Sequence, residues 1–270
     1  MPRPIWTGSL SFGLVNVPVG LYSATEDKTI HFNQFHAGTT ERVKNRRVNA
    51  ATGEEVSYGE IVKGYNLGGG EYVVLTKEEI ASVEPQRSRL IEITDFVDLS
   101  EINPIYFKSA YYLAPQGQGA EKSYGLLRTA MLEENKVGIA SLVFHSKQHL
   151  VAVRPDAAVL SLETMYYEDE VRDPLKEIGS LPDPDAEFST REMAAAKLLI
   201  ESMTAPWDAS QYHDTHREQI MALIERKARG DTITIAPPPE EPAPVVDLLA
   251  ALEASVASAV ERRSADRASA

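Results

Sequence analysis

The sequence predicts a mixed α+β fold, with a body of short strands followed by a helical C-terminal region. Three observations predict it. From Ile5 to about Met165 short apolar runs alternate with turn residues; after Asp183 the apolar spacing becomes helical; and Ala236 to Pro244 is too proline-rich for either. With 270 residues, 43% of them hydrophobic, the chain can bury one large or two modest cores.

The first strands come from the opening block. Val15, Val17, Val19 and Leu21 share one face of an extended segment, while Pro4 and Pro18 limit where that segment can lie in a sheet. Further strands are expected at Tyr72–Leu75, Leu90–Val97, Tyr111–Leu113, Val137–Phe144, Leu150–Val153 and Val159–Leu162. Gly68-Gly69-Gly70 and Gln116-Gly117-Gln118-Gly119 punctuate them, and a short helix is expected from Ser123 to Glu134. Strands so spaced suit a barrel or a sandwich.

Ser189-Thr190-Arg191-Glu192 is a capping-box pattern opening a helix with Met193, Ala196, Leu199, Ile200 and Met203 at helical spacing. A second helix is expected from Ser210 to Arg229, with Arg226, Lys227 and Arg229 in its last turn and Gly230 beyond it. After the proline-rich stretch, Val245, Leu248, Leu249, Leu252, Val256 and Val260 share one helical face opposite Asp247, Glu253 and Glu261. The chain thus divides into 1–182, a helical arm 183–232, a stiff linker 233–244 and an amphipathic helix with a short tail, 245–270. That last helix either packs back on its own domain or is offered to another protein.

There are no cysteines, so disulfides and thiolate zinc sites are excluded. The start leads into alternation rather than an apolar signal core, and no apolar run reaches ~18 residues, so the expected location is the cytoplasm. Net charge is −13, unusual for a nucleic-acid binder, but it is segregated. Residues 104–155 carry six basic against three acidic residues, whereas Glu163 to Glu187 carries nine acids against Arg172 and Lys176. Such a distribution can focus a positive inner surface while the outer one repels DNA.

Arg42-Val43-Lys44-Asn45-Arg46-Arg47 is the densest basic cluster. It is either a solvated loop or, if extended, a ladder with Arg42, Lys44 and Arg46 on one side and Arg47 on the other, able to follow a phosphate backbone without reading bases. His145 and His149 at a spacing of four suit a phosphate-facing hairpin better than a metal, and His213 and His216 a helix start. The three glycines lack the ending of a phosphate-binding loop, no nucleophile-elbow or kinase motif occurs, and no carboxylate is singled out as catalytic. No metal or other cofactor is expected.

The opening Arg3-Pro4-Ile5-Trp6-Thr7-Gly8-Ser9-Leu10-Ser11-Phe12-Gly13-Leu14-Val15-Asn16-Val17-Pro18-Val19-Gly20-Leu21-Tyr22 resembles the start of the bacterial Ku proteins. The resemblance continues through Gly53-Glu54-Glu55-Val56, Ile61-Val62-Lys63-Gly64-Tyr65, Arg87-Ser88-Arg89, Ile91-Glu92-Ile93-Thr94-Asp95-Phe96-Val97 and Pro104-Ile105-Tyr106-Phe107. It extends to Tyr111-Tyr112-Leu113-Ala114-Pro115, Asp169-Glu170-Val171-Arg172-Asp173, Tyr212-His213-Asp214 and Asp247-Leu248-Leu249. In this order the motifs are highly specific.

The resemblance implies a β-barrel core within 1–182, a long strand-rich excursion that meets its counterpart in a second subunit to encircle duplex DNA, and a helical C-terminal region. It implies a non-enzymatic, nucleoid-associated homodimer that holds double-stranded DNA ends in non-homologous end joining and recruits an ATP-dependent DNA ligase with polymerase activity. DNA contacts are then expected from Arg42, Lys44, Arg46, Arg47, Lys63 and Lys147, and ligase contacts from Leu248, Leu249 and Leu252. Two features depart from the family pattern: Asn49-Ala50-Ala51-Thr52 stands where many relatives carry Cys-x-x-Cys, and the long Lys-rich tail of some relatives is not expected here, with only Arg262, Arg263 and Arg267 near the last residues.

Overall fold

The computed structural model describes residues 3–85, 88–156, 158–231 and 250–258. The chain forms two compact units, Met1–Glu177 and Ile178–Ala270.

The first unit opens with strands β1 (Trp6–Phe12) and β2 (Val15–Ser23), turned on Gly13, whose φ of 56° lies in the left-handed region. A long excursion follows, carrying the antiparallel pair β3 (Lys63–Gly68) and β4 (Glu71–Leu75) and the short helix α1 (Lys77–Ser82). The chain returns as β5 (Leu90–Asp98) and β6 (Phe107–Pro115), crosses helix α2 (Ala120–Glu133), and adds β7 (Lys136–Phe144), β8 (Lys147–Pro155) and β9 (Leu160–Met165). A one-turn helix, α3 (Pro174–Glu177), ends the unit.

Seven strands close into a barrel in the order β1-β2-β6-β9-β8-β7-β5. Closure is made by β1 and β5, which run parallel from Ser9↔Leu90 to Phe12↔Ile93 and so abolish the open edges. The expected alternation is met: Val17, Val19 and Leu21 are fully buried, while Val15, at the hairpin end, stays 41% exposed. The β2–β6 register starts at Val19↔Pro115, which sets Pro18, with no N–H to give, just outside that ladder.

Leu10, Ile91, Leu113, Leu142, Val151, Val153, Leu160 and Leu162 complete the barrel core. Each such side chain contributes about 1.5–3 kcal/mol when fully desolvated. Helix α2 joins this core through Tyr124, Leu127 and Met131. The Tyr124 hydroxyl donates to the Leu113 carbonyl at 2.5 Å and accepts the Leu160 N–H at 2.7 Å, fastening α2 to β6 and β9. The helix begins three residues before the expected Ser123 because Gly119, with a φ of 85°, takes the capping position.

Strand β9 departs from simple alternation, since all six of its residues are buried. Its second face meets a smaller cluster of Val137, Ala152 and Met165, covered by Ile102, Tyr106 and Phe107. Glu163 lies on β9, with Oε1 accepting from the Ser161 hydroxyl at 3.0 Å and standing 3.7 Å from Arg154 Nε. Its Oε2 has no hydrogen-bond partner among the described residues, and burial pushes its carboxyl above the usual glutamate range against the pull of Arg154 and Ser161.

In the second unit, helix α4 (Thr190–Met203) starts at the expected capping box: Ser189 accepts from the Glu192 N–H and Glu192 accepts from the Ser189 N–H. Helix α5 (Thr215–Ala228) starts five residues later than Ser210. Asp208 instead caps a separate 3₁₀ turn at Ala209–Gln211, Trp207 stacks on Tyr212 at 5.0 Å, and Asp214 opens α5 by accepting the Arg217 N–H at 3.0 Å. His213 and His216 flank that start. Residues 250–258 are helical, and Glu253 there reaches Arg191 of α4 at 3.0 Å.

Candidate nucleic-acid interface

Among the described residues from 24 to 89, none is buried. The segment leaves the barrel after β2 and returns to it at β5 without a core of its own. Phe32, Phe35, Tyr58, Tyr65 and Tyr72 are all more than half exposed on it.

The basic cluster lies between two small hairpins of this excursion. The first is closed by Val43 N–H to Gln34 carbonyl at 2.9 Å and by the Phe35↔Arg42 bridge. The second is closed by Val56 N–H to Arg47 carbonyl at 2.9 Å and by the Val48↔Glu55 bridge. Arg42 to Arg47 therefore form an exposed connection rather than part of a regular strand. In the second hairpin the Asn49 side chain accepts the Ala51 N–H at 2.9 Å, so an Asx turn shapes the stretch from Asn49 to Thr52.

The cations differ in their surroundings. The Arg42 guanidinium donates to Asn33 Oδ1. Arg46 meets Glu55 at 3.1 Å, which offsets part of its charge. Arg47 stands over the Tyr58 ring, 5.1 Å from its centre, and Lys77 approaches the same ring at 5.3 Å. Lys44 is exposed, Lys63 opens β3, and Lys147 opens β8 beside the β7–β8 turn.

Tyr58 and Lys77, which sequence reasoning missed, are held by local capping. Tyr58 begins a 3₁₀ turn in which Glu60 accepts from both the Ser57 hydroxyl (2.7 Å) and the Ser57 amide (3.1 Å). These bonds hold the Glu60 carboxyl below its usual range. Lys77 is the first residue of α1, whose Thr76 and Glu79 form the same reciprocal cap. A Ser-x-x-Glu and a Thr-x-x-Glu are the signals that could have found both. Lys108 stands 4.8 Å over Tyr166 in a third such pair.

Leu248 and Leu249 lie outside the described residues, as does the linker 233–244, and Leu252 is half-buried in the 250–258 helix. Among the described residues no three or more His, Asp or Glu side chains are grouped to hold a metal, and no helix is long and apolar enough to cross a membrane.

The family model described as the Ku70/Ku80 beta-barrel domain matches residues 11–196. Non-homologous end joining protein Ku 1 of Saccharopolyspora erythraea is 46% identical over 256 residues, covering 95% of this chain and 78% of that protein. The Ku protein of Anaeromyxobacter sp. (strain K) is 44% identical, covering 97% of this chain and 88% of its own length. That of Archaeoglobus fulgidus is 41% identical, covering 93% and 99%. The closed barrel, the coreless excursion on it and these matches lead to one conclusion: the chain belongs to the Ku family.

Proposed function

We propose that the protein binds double-stranded DNA ends, without regard to base sequence, as a ring-shaped homodimer in non-homologous end joining. Its relatives carry that pathway in their names. The observation that carries the ring is the excursion from 24 to 89, which buries none of its described residues. Apolar side chains left bare on so long a segment call for a covering surface, and a second copy of the same segment offers one by two-fold symmetry.

Arg42, Lys44, Arg46, Arg47 and Lys63 on that excursion, with Lys147 on the barrel, would meet phosphates. Cations on an irregular connection neutralise backbone charge but do not present matched donors to a groove, hence the indifference to sequence. The exposed acidic residues from Glu168 to Glu187 oppose coating along the outside of the duplex.

Leu248, Leu249 and Leu252 would recruit an ATP-dependent DNA ligase with polymerase activity. The Arg191–Glu253 pair that meets the 250–258 helix is exposed at both ends, and such pairs contribute only about 0–1 kcal/mol, so a partner could displace it. In this role the protein performs no covalent chemistry, needs no cofactor, and works in the cytoplasm on the nucleoid. A competition experiment tests the end requirement: unlabelled linear duplex should displace a labelled linear fragment, and covalently closed circles of equal length should not. Equal competition would overturn the proposal.

A further inference from the structure

We propose that a pocket at the β7–β8 turn takes a single unpaired nucleotide, gripping its phosphate and stacking its base. A single-stranded DNA end supplies that ligand, and a free mononucleotide presents the same chemistry. Only the DNA source rests on the end-binding function above; the pocket itself does not.

The cavity measures about 300 Å³ and is lined by Trp6, Ser88, Arg89, Phe144, His145 and Ser146. That is the lower end of the ~300–1,000 Å³ range of small-molecule sites. Besides the apolar Val143, the lining offers three aromatic rings, one guanidinium, two hydroxyls and no carboxylate. Aromatic faces accept any base, and a guanidinium with hydroxyl donors matches a phosphate.

The parts are held in place. Trp6 folds back over the strand because residue 8 is glycine: a Cβ there would lie 2.2 Å from the indole and 2.3 Å from the Arg89 carbonyl. That carbonyl accepts the Ser9 N–H at 2.8 Å, fixing the root of the Arg89 side chain. Among the described residues Arg89 makes no ion pair, unlike Arg46 or Arg154. The Phe144 and His145 rings lie 3.9 Å apart and 31° from parallel.

The turn supplies an independent argument. His145 and Ser146 both have positive φ, 50° and 61°, in a two-residue connection that pairs Phe144 with Lys147. Asn-Gly is the relaxed sequence for such a turn, so histidine and serine there place two functional side chains at the turn against a backbone preference.

The test uses intrinsic fluorescence. The chain has two tryptophans, Trp6 and Trp207, so Trp207→Phe leaves Trp6 as the sole reporter. Probes are a short 5′-phosphorylated oligothymidylate, adenosine 5′-monophosphate, adenosine and inorganic phosphate. Saturable quenching by the two nucleotides is expected, with adenosine weaker by about tenfold or more. Arg89→Ala should weaken the nucleotides similarly. The pair His145→Asn with Ser146→Gly should do the same while melting no lower than the parent, which separates loss of binding from loss of fold. An oligothymidylate that binds more tightly than the mononucleotide points to DNA ends; equal binding points to free nucleotides. No saturable quenching, or quenching untouched by both variants, overturns the pocket. Blunt duplex binding, measured alongside, should survive both variants; if the parent itself lacks it, the end-binding function fails while the pocket stands.

Discussion

The Arg47 guanidinium lies 5.1 Å above the Tyr58 ring, which also meets the Lys77 ammonium at 5.3 Å. One exposed aromatic residue thus gathers a cation from the basic cluster and another from α1. Such contacts contribute about 0.5–1 kcal/mol at exposed sites. Tyr58→Ala should therefore weaken duplex binding about twofold to fivefold at low salt, and Tyr58→Phe should not. The ring packs in no core, so the melting temperature should stay unchanged. Titrations of both variants against labelled duplex check this; equal affinity of all three proteins would contradict it.

Much of the barrel was legible in the sequence because its strands alternate: one face of Val17, Val19 and Leu21 is inside, and turns with Gly13 or Gly117 end the runs. Strand β9 hid its second buried face, since Ser161 and Glu163 are polar residues that the alternation assigns to solvent. The start of α5 was misjudged because Asp208 and Asp214 are both good caps, and only tertiary structure decides between a 3₁₀ turn and a helix. In the site, the cluster of Arg42 to Arg47 was visible as composition. Its pairings, Arg46 with Glu55 and Arg47 with Tyr58, depend on how two small hairpins fold, which periodicity does not encode.

The cation cluster should set the salt dependence. Each phosphate contact contributes about 0.9 to the slope of log affinity against log salt. Replacing Arg42, Lys44, Arg46 and Arg47 together by alanine should flatten it by about 3 to 4 units for each protomer whose cluster meets phosphates, about 7 for the homodimer, and base sequence should hardly matter. Glu55→Gln, which releases Arg46, should raise affinity severalfold. An unchanged slope in the fourfold variant would return the cluster to a solvated loop.

Glu163 should leave a mark on stability against pH. Its folded carboxyl keeps its proton to higher pH than the unfolded chain does. As pH rises through the ordinary glutamate range the unfolded state ionises first, so this group's contribution falls until the folded carboxyl ionises too, and then levels off. Glu163→Gln removes that decline. Urea unfolding of parent and variant at about pH 4 and about pH 8 should show the variant gaining on the parent at the higher pH. A difference that is the same at both would contradict it.

The leucine stripe gives a separable prediction. Leu248→Ala, Leu249→Ala and Leu252→Ala together remove three side chains, each contributing on the order of 1.5–3 kcal/mol when desolvated, enough to abolish a micromolar contact. End binding should persist while stimulation of the partner ligase is lost. Undiminished ligation, or joint loss of DNA binding and dimerisation, would contradict recruitment by this helix.

The most direct test of the ring is topological. The protein is loaded on a linear duplex, the DNA is ligated into a circle, and retention is followed in salt high enough to remove phosphate contacts. A closed homodimer should stay trapped on the circle and leave once a restriction cut reopens it. Release from the intact circle at the same rate as from linear DNA would contradict an encircling mode.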